Sequence, residues 1–226
     1  LRGALSLAYG APEGPGRTEL LRVLESREKT TTQALLAAAG VVADVRVDRD
    51  RIVPGDEVGV EVIIWNGGSR SVTVEEVGLI LPEDWERPDD VEATMTLGPG
   101  EIREWRFSVQ VPRSAEVSRL YFLGEVRDES LYNWPSDASV MGRPGNSPLI
   151  VGRSVLAIDE GDPITVQRDG SHVGVDQANG EYRLPIFVVP EISVVVEPRV
   201  AAWPAGEVAA RPVAVRASNF SQVEAA

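Results

Sequence analysis

The sequence predicts a mostly β protein, made of tandem antiparallel β-sandwiches and preceded by a short helical segment. Two observations support this fold class. Apolar residues alternate with polar ones in short runs, as at Val58, Val60, Val62 and Ile64, and a period of two is typical of strands with one buried face. The runs are separated by clusters of Gly, Pro and Asn, which suit the short turns of an antiparallel sheet.

A repeated sequence pattern indicates more than one sandwich. Residues 53–68 (VPGDEVGVEVIIWNGG) have a looser, gapped counterpart at residues 203–221 (WPAGEVAARPVAVRASNFS). We assign the first copy to a sandwich over residues 41–113 and the second to the opening strands of a further, truncated sandwich over residues 191–226. A truncated sandwich leaves an unpaired strand edge. We therefore expect residues 191–226 either to dock on the preceding unit or to be poorly ordered.

The remaining segments are an N-terminal linker and helix, over residues 1–40, and a second β-rich unit, over residues 114–190. Residues 1–17 are rich in Gly and Pro and are interpreted as linker. Leucines at helical spacing predict a helix over about residues 18–39, which Thr18 can cap and Gly40 can end. The candidate strands of the second β-rich unit are residues 119–123, 149–158, 164–168 and 184–189.

Composition excludes several classes of function. The net charge of −13 repels phosphate backbones and anionic lipid, so nucleic acid and membrane surfaces are not expected partners. The chain has no cysteine, which excludes disulfides, thiolate zinc sites and cysteine nucleophiles. No apolar run approaches the roughly 18 residues of a membrane span. The chain opens at Leu1 without Met or a signal peptide, so we expect it to be a piece of a longer protein.

Residues that could support catalysis are scarce. The one histidine, His172, lies in the stretch DGSHVG and is interpreted as a solvated turn residue rather than part of a nucleophilic triad. Zinc sites built from histidine and carboxylates usually need two histidines. The acidic clusters at residues 48–50 and 159–162 lack the spacing of a calcium loop. No catalytic residue and no metal ligand is therefore predicted.

A short acidic stretch imitates a zinc motif. Residues 87–92 (RPDDVE) follow the pattern His-Pro-Asp-Asp-x-Glu, in which histidine and aspartate bind zinc. The histidine position is occupied here by Arg87, and a permanently charged guanidinium cannot coordinate a cation. We interpret the match as coincidence.

Aromatic side chains on loops offer a candidate ligand site, because flat rings can stack on sugars. Tyr132 and Trp134 are the predicted glycan-binding residues, since they lie in the long loop 131–148 and long loops are often functional. The alternative, which we favour for these rings, is that they cover a junction between sandwiches. The aromatic residues considered were Trp85, Tyr121, Tyr132, Trp134 and Trp203.

The order of several short motifs resembles a known family. The motifs are AAGVV, VPGD, VIIWN, LPEDW, GPGE, WRFSVQVP, YFLG, LYNW, GEYRLP and VVPEIS. Over most of residues 18–221 this order is similar to the C-terminal accessory region of large bacterial PIG-L (LmbE-like) deacetylases. The resemblance implies NEW3-like or fibronectin-like modules of the immunoglobulin-like class, following a zinc-dependent hydrolase that removes acetyl groups from N-acetylated amino sugars. The zinc ligands of the family belong to that catalytic domain, and no position in this chain matches them.

The sequence therefore predicts a non-catalytic accessory region that positions a PIG-L-type deacetylase or its glycan substrate. The implied partners are an upstream catalytic domain and a glycan, and zinc is expected only in that absent domain. Two alternatives stay open: a free-standing carbohydrate-binding or adhesion module, and a purely structural spacer. The lack of cysteine fits both cytosolic and extracytoplasmic settings, and we favour an extracytoplasmic location, periplasmic or secreted.

Overall fold

The computed structural model describes residues 2–124, 130–131, 144–202 and 212–221. Within these residues it contains two α-helices, one 3-10 helix and thirteen strands, so the predicted mostly β class is confirmed. The helices are α1 (Arg2–Tyr9), α2 (Pro15–Ala39) and the 3-10 helix Tyr121–Leu123. The strands are β1 (Val41–Val47), β2 (Arg51–Ile52), β3 (Glu57–Asn66), β4 (Val72–Ile80), β5 (Val91–Leu97), β6 (Ile102–Gln110), β7 (Val151–Ile158), β8 (Ile164–Asp169), β9 (Ser171–Asp176), β10 (Gly180–Pro185), β11 (Phe187–Val188), β12 (Ile192–Glu197) and β13 (Ala214–Asn219).

The N-terminal segment is more helical than the sequence predicted. The linker interpretation is wrong for α1, in which Leu5 and Ala8 are buried. The Arg17 side chain of α2 donates hydrogen bonds to the carbonyl oxygens of Ala8 and Tyr9, which ties the two helices together. Half of the Gly and Pro residues that suggested a linker, Gly10, Pro12 and Gly14, belong to the connection between them. Pro15 begins α2, and a proline is well tolerated in a first helical turn.

The predicted end of α2 is confirmed. Gly40 adopts a left-handed conformation with φ of 73°, and its N–H donates to the carbonyl of Ala37. A residue with a side chain is strained in this conformation. No helix within the described residues is both long and apolar enough to cross a membrane.

The larger sheet has five strands in the order β10-β9-β1-β3-β6. β1 and β9 are parallel, and the other neighbours are antiparallel. In β3 the buried side chains of Val58, Val60 and Val62 alternate with outward-facing residues, as the period of two predicted. One face of this sheet therefore forms core, and most outward-facing side chains of β3 are exposed or half-buried, with Ile63 the buried exception.

The smaller sheet has four antiparallel strands in the order β5-β4-β7-β8. Its inner face and that of the five-stranded sheet contribute to one apolar core. The sheets approach closely at Gly152 of β7, where an added Cβ would lie 2.4 Å from Cγ2 of Val45 in β1. Two sheets stacked on a shared core correspond to the predicted sandwich arrangement. The fully buried core residues include Val45, Val58, Val60, Val62, Ile64, Val72, Leu79, Leu97, Ile150 and Leu156.

Strand pairing corrects the predicted boundary between residues 41–113 and 114–190. β7 pairs with β4, and β9 pairs with β1, so strands from both predicted units build the same two sheets. The physical reason is that β9 and β7 cover strand edges that would otherwise have no hydrogen-bonding partner. Without the later strands, β1 and β4 would each expose an unpaired edge beside the core.

The predicted strand at residues 119–123 is also corrected, since a 3-10 helix occupies Tyr121–Leu123. The side chain of Asn146 replaces a strand partner there. Its Oδ1 accepts a hydrogen bond from the Tyr121 N–H, and its Nδ2 donates to the Arg119 carbonyl. The backbone groups of this segment are thus satisfied without a neighbouring strand.

The C-terminal repeat forms a separate two-stranded antiparallel sheet of β12 and β13. Most of its side chains are exposed, including Ile192 and Val215. A contact with the rest of the chain is made by Phe220, whose ring centre lies 5.2 Å from the guanidinium carbon of Arg51. The predicted further strands exist in the described part of this segment, as a hairpin with little buried surface.

Candidate functional site

The predicted glycan-binding residues, Tyr132 and Trp134, lie outside the described residues, as does Trp203. Of the other aromatic candidates, Trp85 is buried in the core. Tyr121 packs edge-to-face on Phe122, with ring centres 5.3 Å apart. The candidate site is therefore built from other side chains.

The acidic clusters have structural partners. Asp159 accepts hydrogen bonds from the Arg70 guanidinium at 2.7 Å and from the Ser71 N–H at 3.1 Å. The Arg70 guanidinium, together with the Ser71 hydrogen bonds, holds the pKa of the Asp159 carboxyl below its usual value. Arg87 lies 3.9 Å from Asp90, which supports the interpretation of the zinc-like stretch as coincidence. Within the described ranges, no three His, Asp or Glu side chains are grouped to hold a metal ion.

The exposed face of the five-stranded sheet carries a bidentate ion pair. Arg183 of β10 donates to both carboxylate oxygens of Asp44 of β1, at 2.6 and 2.9 Å, and so reaches across β9. The Arg183 hydrogen bond, followed by that of Arg46, lowers the pKa of Asp44 to about 2. This pair ties the β9–β10 hairpin to the centre of the sheet.

Ion pairs continue across the other strands of this face. Arg106 of β6 donates to Glu61 of β3 at 2.9 Å and lies 3.6 Å from Glu104. Ser108 of β6 donates to Glu57 of β3. Opposite charges on adjacent strands support one another modestly where they are exposed.

At one end of the same face lies an exposed apolar row of Val42, Trp65 and Ile102, which we call the Trp65 row. Val42 faces Trp65 across β1 and β3, and Trp65 faces Ile102 across β3 and β6. Trp65 is 45% exposed. Sequence reasoning missed it as an exposed aromatic residue, although alternation from the buried Val62 and Ile64 places residue 65 on the outer face.

At the other end, β1 stops at Val47 while β9 continues to Asp176, and an open groove of about 480 Å³ lies beside the junction. We call it the β9 groove. Its walls include the apolar side chains of Val173 and Val175. Its polar lining residues are Arg46, Asp48, Glu61, Arg106, His172 and Glu181.

His172 corrects the prediction of a solvated turn residue. It lies within β9 and is half-buried, because the parallel pairing of β9 with β1 places it beside Val47. Its Nδ1 is 3.1 Å from the Val47 carbonyl oxygen. No local sequence signal could reveal this placement, since the two residues are 125 positions apart.

One part of the chain matches a known family. Residues 52–122 match the model of the NPCBM-associated NEW3 domain of alpha-galactosidase. This segment runs from β2 to the 3-10 helix and supplies Glu61 and Arg106 of the β9 groove, whereas His172 and Glu181 come from outside it. The match supports the NEW3 part of the predicted resemblance. No curated protein matches the chain.

Similar solved structures are distant in sequence. Spo0M, a sporulation control protein from Bacillus subtilis, is 15% identical with a TM-score of 0.33, over 66% of this chain and 49% of that one. The alkylpurine DNA glycosylase AlkC from Pseudomonas fluorescens is 11% identical with a TM-score of 0.27, over 74% and 41%. The β-glucosidase EmGH1 from Erythrobacter marinus is 14% identical with a TM-score of 0.23, over 57% and 15%. This chain thus spans about half or less of the length of each of these proteins.

Proposed function

We propose that this chain is a non-catalytic accessory region of a carbohydrate-active enzyme, which positions the enzyme or its glycan substrate. The observation that carries the proposal is the NEW3 match over residues 52–122. The side-chain chemistry supports it, because three of the titratable groups considered have structural partners. His172 Nδ1 is held by a backbone carbonyl, and Asp159 and Asp44 are held by guanidinium groups.

The parent enzyme in this proposal is a PIG-L-type deacetylase that acts on N-acetylated amino sugars. The motif order from AAGVV to VVPEIS supports this parent, while the description of the matched family model points to a glycosidase. Zinc would belong to the upstream catalytic domain of the deacetylase. The proposed subtype of the two stacked sheets is immunoglobulin-like or fibronectin-like, and the proposed location is periplasmic or secreted.

The reading frame upstream of Leu1 tests the parent directly. We expect it to encode a catalytic domain with a zinc-binding His-Pro-Asp-Asp motif. A glycosidase domain in its place would replace the deacetylase and keep the accessory role. A frame with no carbohydrate-active domain on either side of this chain would overturn the proposal.

Zinc titration and activity measurements test the non-catalytic role. The 226-residue chain should bind no stoichiometric zinc by calorimetry and release no acetate from N-acetylglucosamine derivatives. Tight zinc binding at one ion per chain, or turnover that survives repurification, would contradict the proposal.

The long aromatic loop favours a second candidate, a free-standing carbohydrate-binding or adhesion module that uses Tyr132 and Trp134. On a glycan array, Trp134→Ala should then abolish binding, because ring stacking contributes much of the affinity for sugars. Unchanged binding by Trp134→Ala would remove this candidate. A structural spacer would show no binding in either form.

A further inference from the structure

The dipeptide Asn-Gly occurs twice in the chain, at residues 66–67 and 179–180. An asparagine in this context is prone to lose ammonia spontaneously, because the backbone nitrogen of the following residue can attack its Cγ and close a cyclic imide. Glycine favours this attack, since it has no side chain to hinder the approach and its backbone is permissive. Whether the ring can close in the folded protein depends on how firmly the surroundings hold the two reacting groups.

The first Asn-Gly dipeptide is held firmly. Asn66 is fully buried, and its Nδ2 donates to the carbonyl oxygens of Arg70 and Leu97 at 2.8 and 2.9 Å. The nitrogen that would attack is also engaged, because the Gly67 N–H donates to the Gly40 carbonyl at 2.9 Å. Closing the ring would break these hydrogen bonds in a buried site, which is costly. The reaction at Asn66 therefore needs unfolding.

The second Asn-Gly dipeptide lies in the open. Asn179 is exposed, in the turn of residues 177–179 that joins β9 and β10. Its N–H and its Nδ2 donate to Oδ1 of Asp176, at 2.8 and 3.1 Å, and Asp176 is itself exposed. Among the described residues beyond its chain neighbours, no heavy atom lies within 4 Å of the position that a Cβ on Gly180 would take. An exposed turn of this kind opens locally at little cost.

We propose that Asn179–Gly180 is a site of spontaneous covalent modification in the folded protein, which converts Asn179 to a mixture of aspartate and isoaspartate, while Asn66–Gly67 stays intact. The Gly180 nitrogen forms a bond to Cγ of Asn179 and passes its proton, by way of solvent, to the leaving nitrogen. The bond between Cγ and Nδ2 breaks, and ammonia departs. Water then opens the imide at either carbonyl, which yields aspartate or isoaspartate.

Both products disturb the turn. The N–H groups of Asn179 and Ala178 hold the pKa of the Asp176 carboxyl below its usual value, so this group is anionic at neutral pH. Conversion replaces the Nδ2 donor with a second carboxylate, and like charges then lie side by side. Isoaspartate also adds a methylene carbon to the turn backbone. The hairpin that Arg183 ties to Asp44 should therefore open more readily after modification. This inference does not depend on the parent enzyme.

Timed incubation of the folded 226-residue chain, at neutral and at mildly alkaline pH, tests the proposal. Cleavage after arginine isolates the two dipeptides in peptides 52–70 and 169–183, each of which contains a single asparagine. Digestion at mildly acidic pH suppresses conversion during handling, and electron-transfer fragmentation distinguishes aspartate from isoaspartate. We expect both products to accumulate in peptide 169–183. They should form faster at the higher pH, because the attacking nitrogen must lose its proton.

The same chain in guanidinium chloride is the internal control, because it removes the fold and keeps both Asn-Gly sequences. Folding should slow conversion at Asn66 on the order of a thousandfold or more, since ring closure there needs global unfolding. It should slow conversion at Asn179 by no more than about tenfold, since the turn opens locally. Asn179→Gln, which would have to close a larger ring, should abolish the change in peptide 169–183 and leave peptide 52–70 as in the parent chain.

The proposal fails if Asn179 stays intact in the folded chain, or if Asn66 converts there at the same rate. It fails equally if folding slows both sites by the same factor, which would show that the turn is as closed as the core. Aspartate without isoaspartate would indicate direct hydrolysis in place of ring closure. Hydrogen exchange checks the effect on the hairpin, since the amides of β10 should exchange faster in incubated protein, and unchanged exchange would refute the loosening.

Discussion

The two copies of the repeated sequence pattern have different structural surroundings. In the first copy, β3 lies between β1 and β6, and its Val58, Val60 and Val62 are almost completely buried. In the second, β13 pairs with β12 alone among the described strands, and Val215 is 66% exposed. Both segments contain apolar residues at every second position. Alternation thus specifies a strand, while burial depends on neighbours that other parts of the chain must supply.

The largest expected difference between the first sandwich region and the C-terminal region, residues 191–226, is in hydrogen exchange. The amides of Val62 and Ile64 in β3 should exchange only through global unfolding, which costs on the order of 5–15 kcal/mol in ordinary domains. Those of Val194 and Val196 in β12 should exchange through local opening of about 1 kcal/mol, because an isolated hairpin is marginally stable. Mass spectrometry on peptides from both strands checks this. Equal protection would show that β12 and β13 are covered by further structure.

Two isoleucines, one in each region, test how much the difference in burial contributes to stability. Ile64→Ala removes a fully buried side chain from β3 and should lower the free energy of unfolding by about 3 kcal/mol, through lost burial and the cavity left behind. Ile192→Ala in β12, where the side chain is 54% exposed, should change it by less than about 0.5 kcal/mol. Urea denaturation of both variants gives the comparison. A similar loss of stability in Ile192→Ala would mean that the C-terminal hairpin contains buried core residues.

The asparagine near the end of each copy gives a third comparison. Asn66 is fully buried, donates to the carbonyls of Arg70 and Leu97, and accepts from the Gly68 N–H. Asn219 accepts from the Ser221 N–H in the same local pattern, but it is exposed.

Asn66→Ala should therefore destabilise the chain by about 2 kcal/mol, since a buried carbonyl without a partner is costly. Asn219→Ala should cost about 0.5 kcal/mol or less. Thermal unfolding of the two variants measures both effects. A negligible cost for Asn66→Ala would indicate that water replaces its amide, and a large cost for Asn219→Ala would place the second turn in a packed environment.

Local signals explain which parts of the fold could be predicted. The alternation in β3, the proline that follows β6 at Pro112 and the Gly40 end of α2 act within a few residues, and the structure agrees with them. Helix α1 was missed because Gly3 and the Gly- and Pro-rich connection after it suggested a linker, while its buried face is only Leu5 and Ala8. Two apolar residues at helical spacing are too few to distinguish a helix from a linker.

The position of the β9–β10 hairpin beside β1 could not be predicted, because its contacts join distant positions. His172 meets Val47 across 125 positions, and Arg183 meets Asp44 across 139. The sequence contains turn signals around β9, but nothing local states that β9 lies parallel to β1. The two predicted units were separated for the same reason, since pairing of β4 with β7 is invisible to local patterns.

Loss of the ion pair between Asp44 and Arg183 should have the smallest effect on stability. It allows the β9–β10 hairpin to be compared with the C-terminal hairpin of β12 and β13. Arg183 lowers the folded-state pKa of Asp44 to about 2, below its ordinary value of 3.8. A carboxyl with a depressed pKa stabilises the fold above its unfolded-state pKa, and this contribution disappears as pH falls through the folded-state value. Because Arg183 is 44% exposed, solvent screening limits the contribution to about 1 kcal/mol.

Arg183→Gln should raise the pKa of Asp44 towards 3.8, though not fully, because Arg46 still donates to it at 3.0 Å. The variant should be less stable than the parent chain by about 1 kcal/mol at about pH 7, and the difference should vanish by about pH 2. Carboxyl NMR titration and denaturation at several pH values measure the two quantities. The control is Arg216→Gln, which changes an exposed arginine of β13. It should leave the loss of stability at low pH unchanged. A stability difference for Arg183→Gln that persists at the lowest pH would show that its side chain acts through packing rather than through the Asp44 carboxylate.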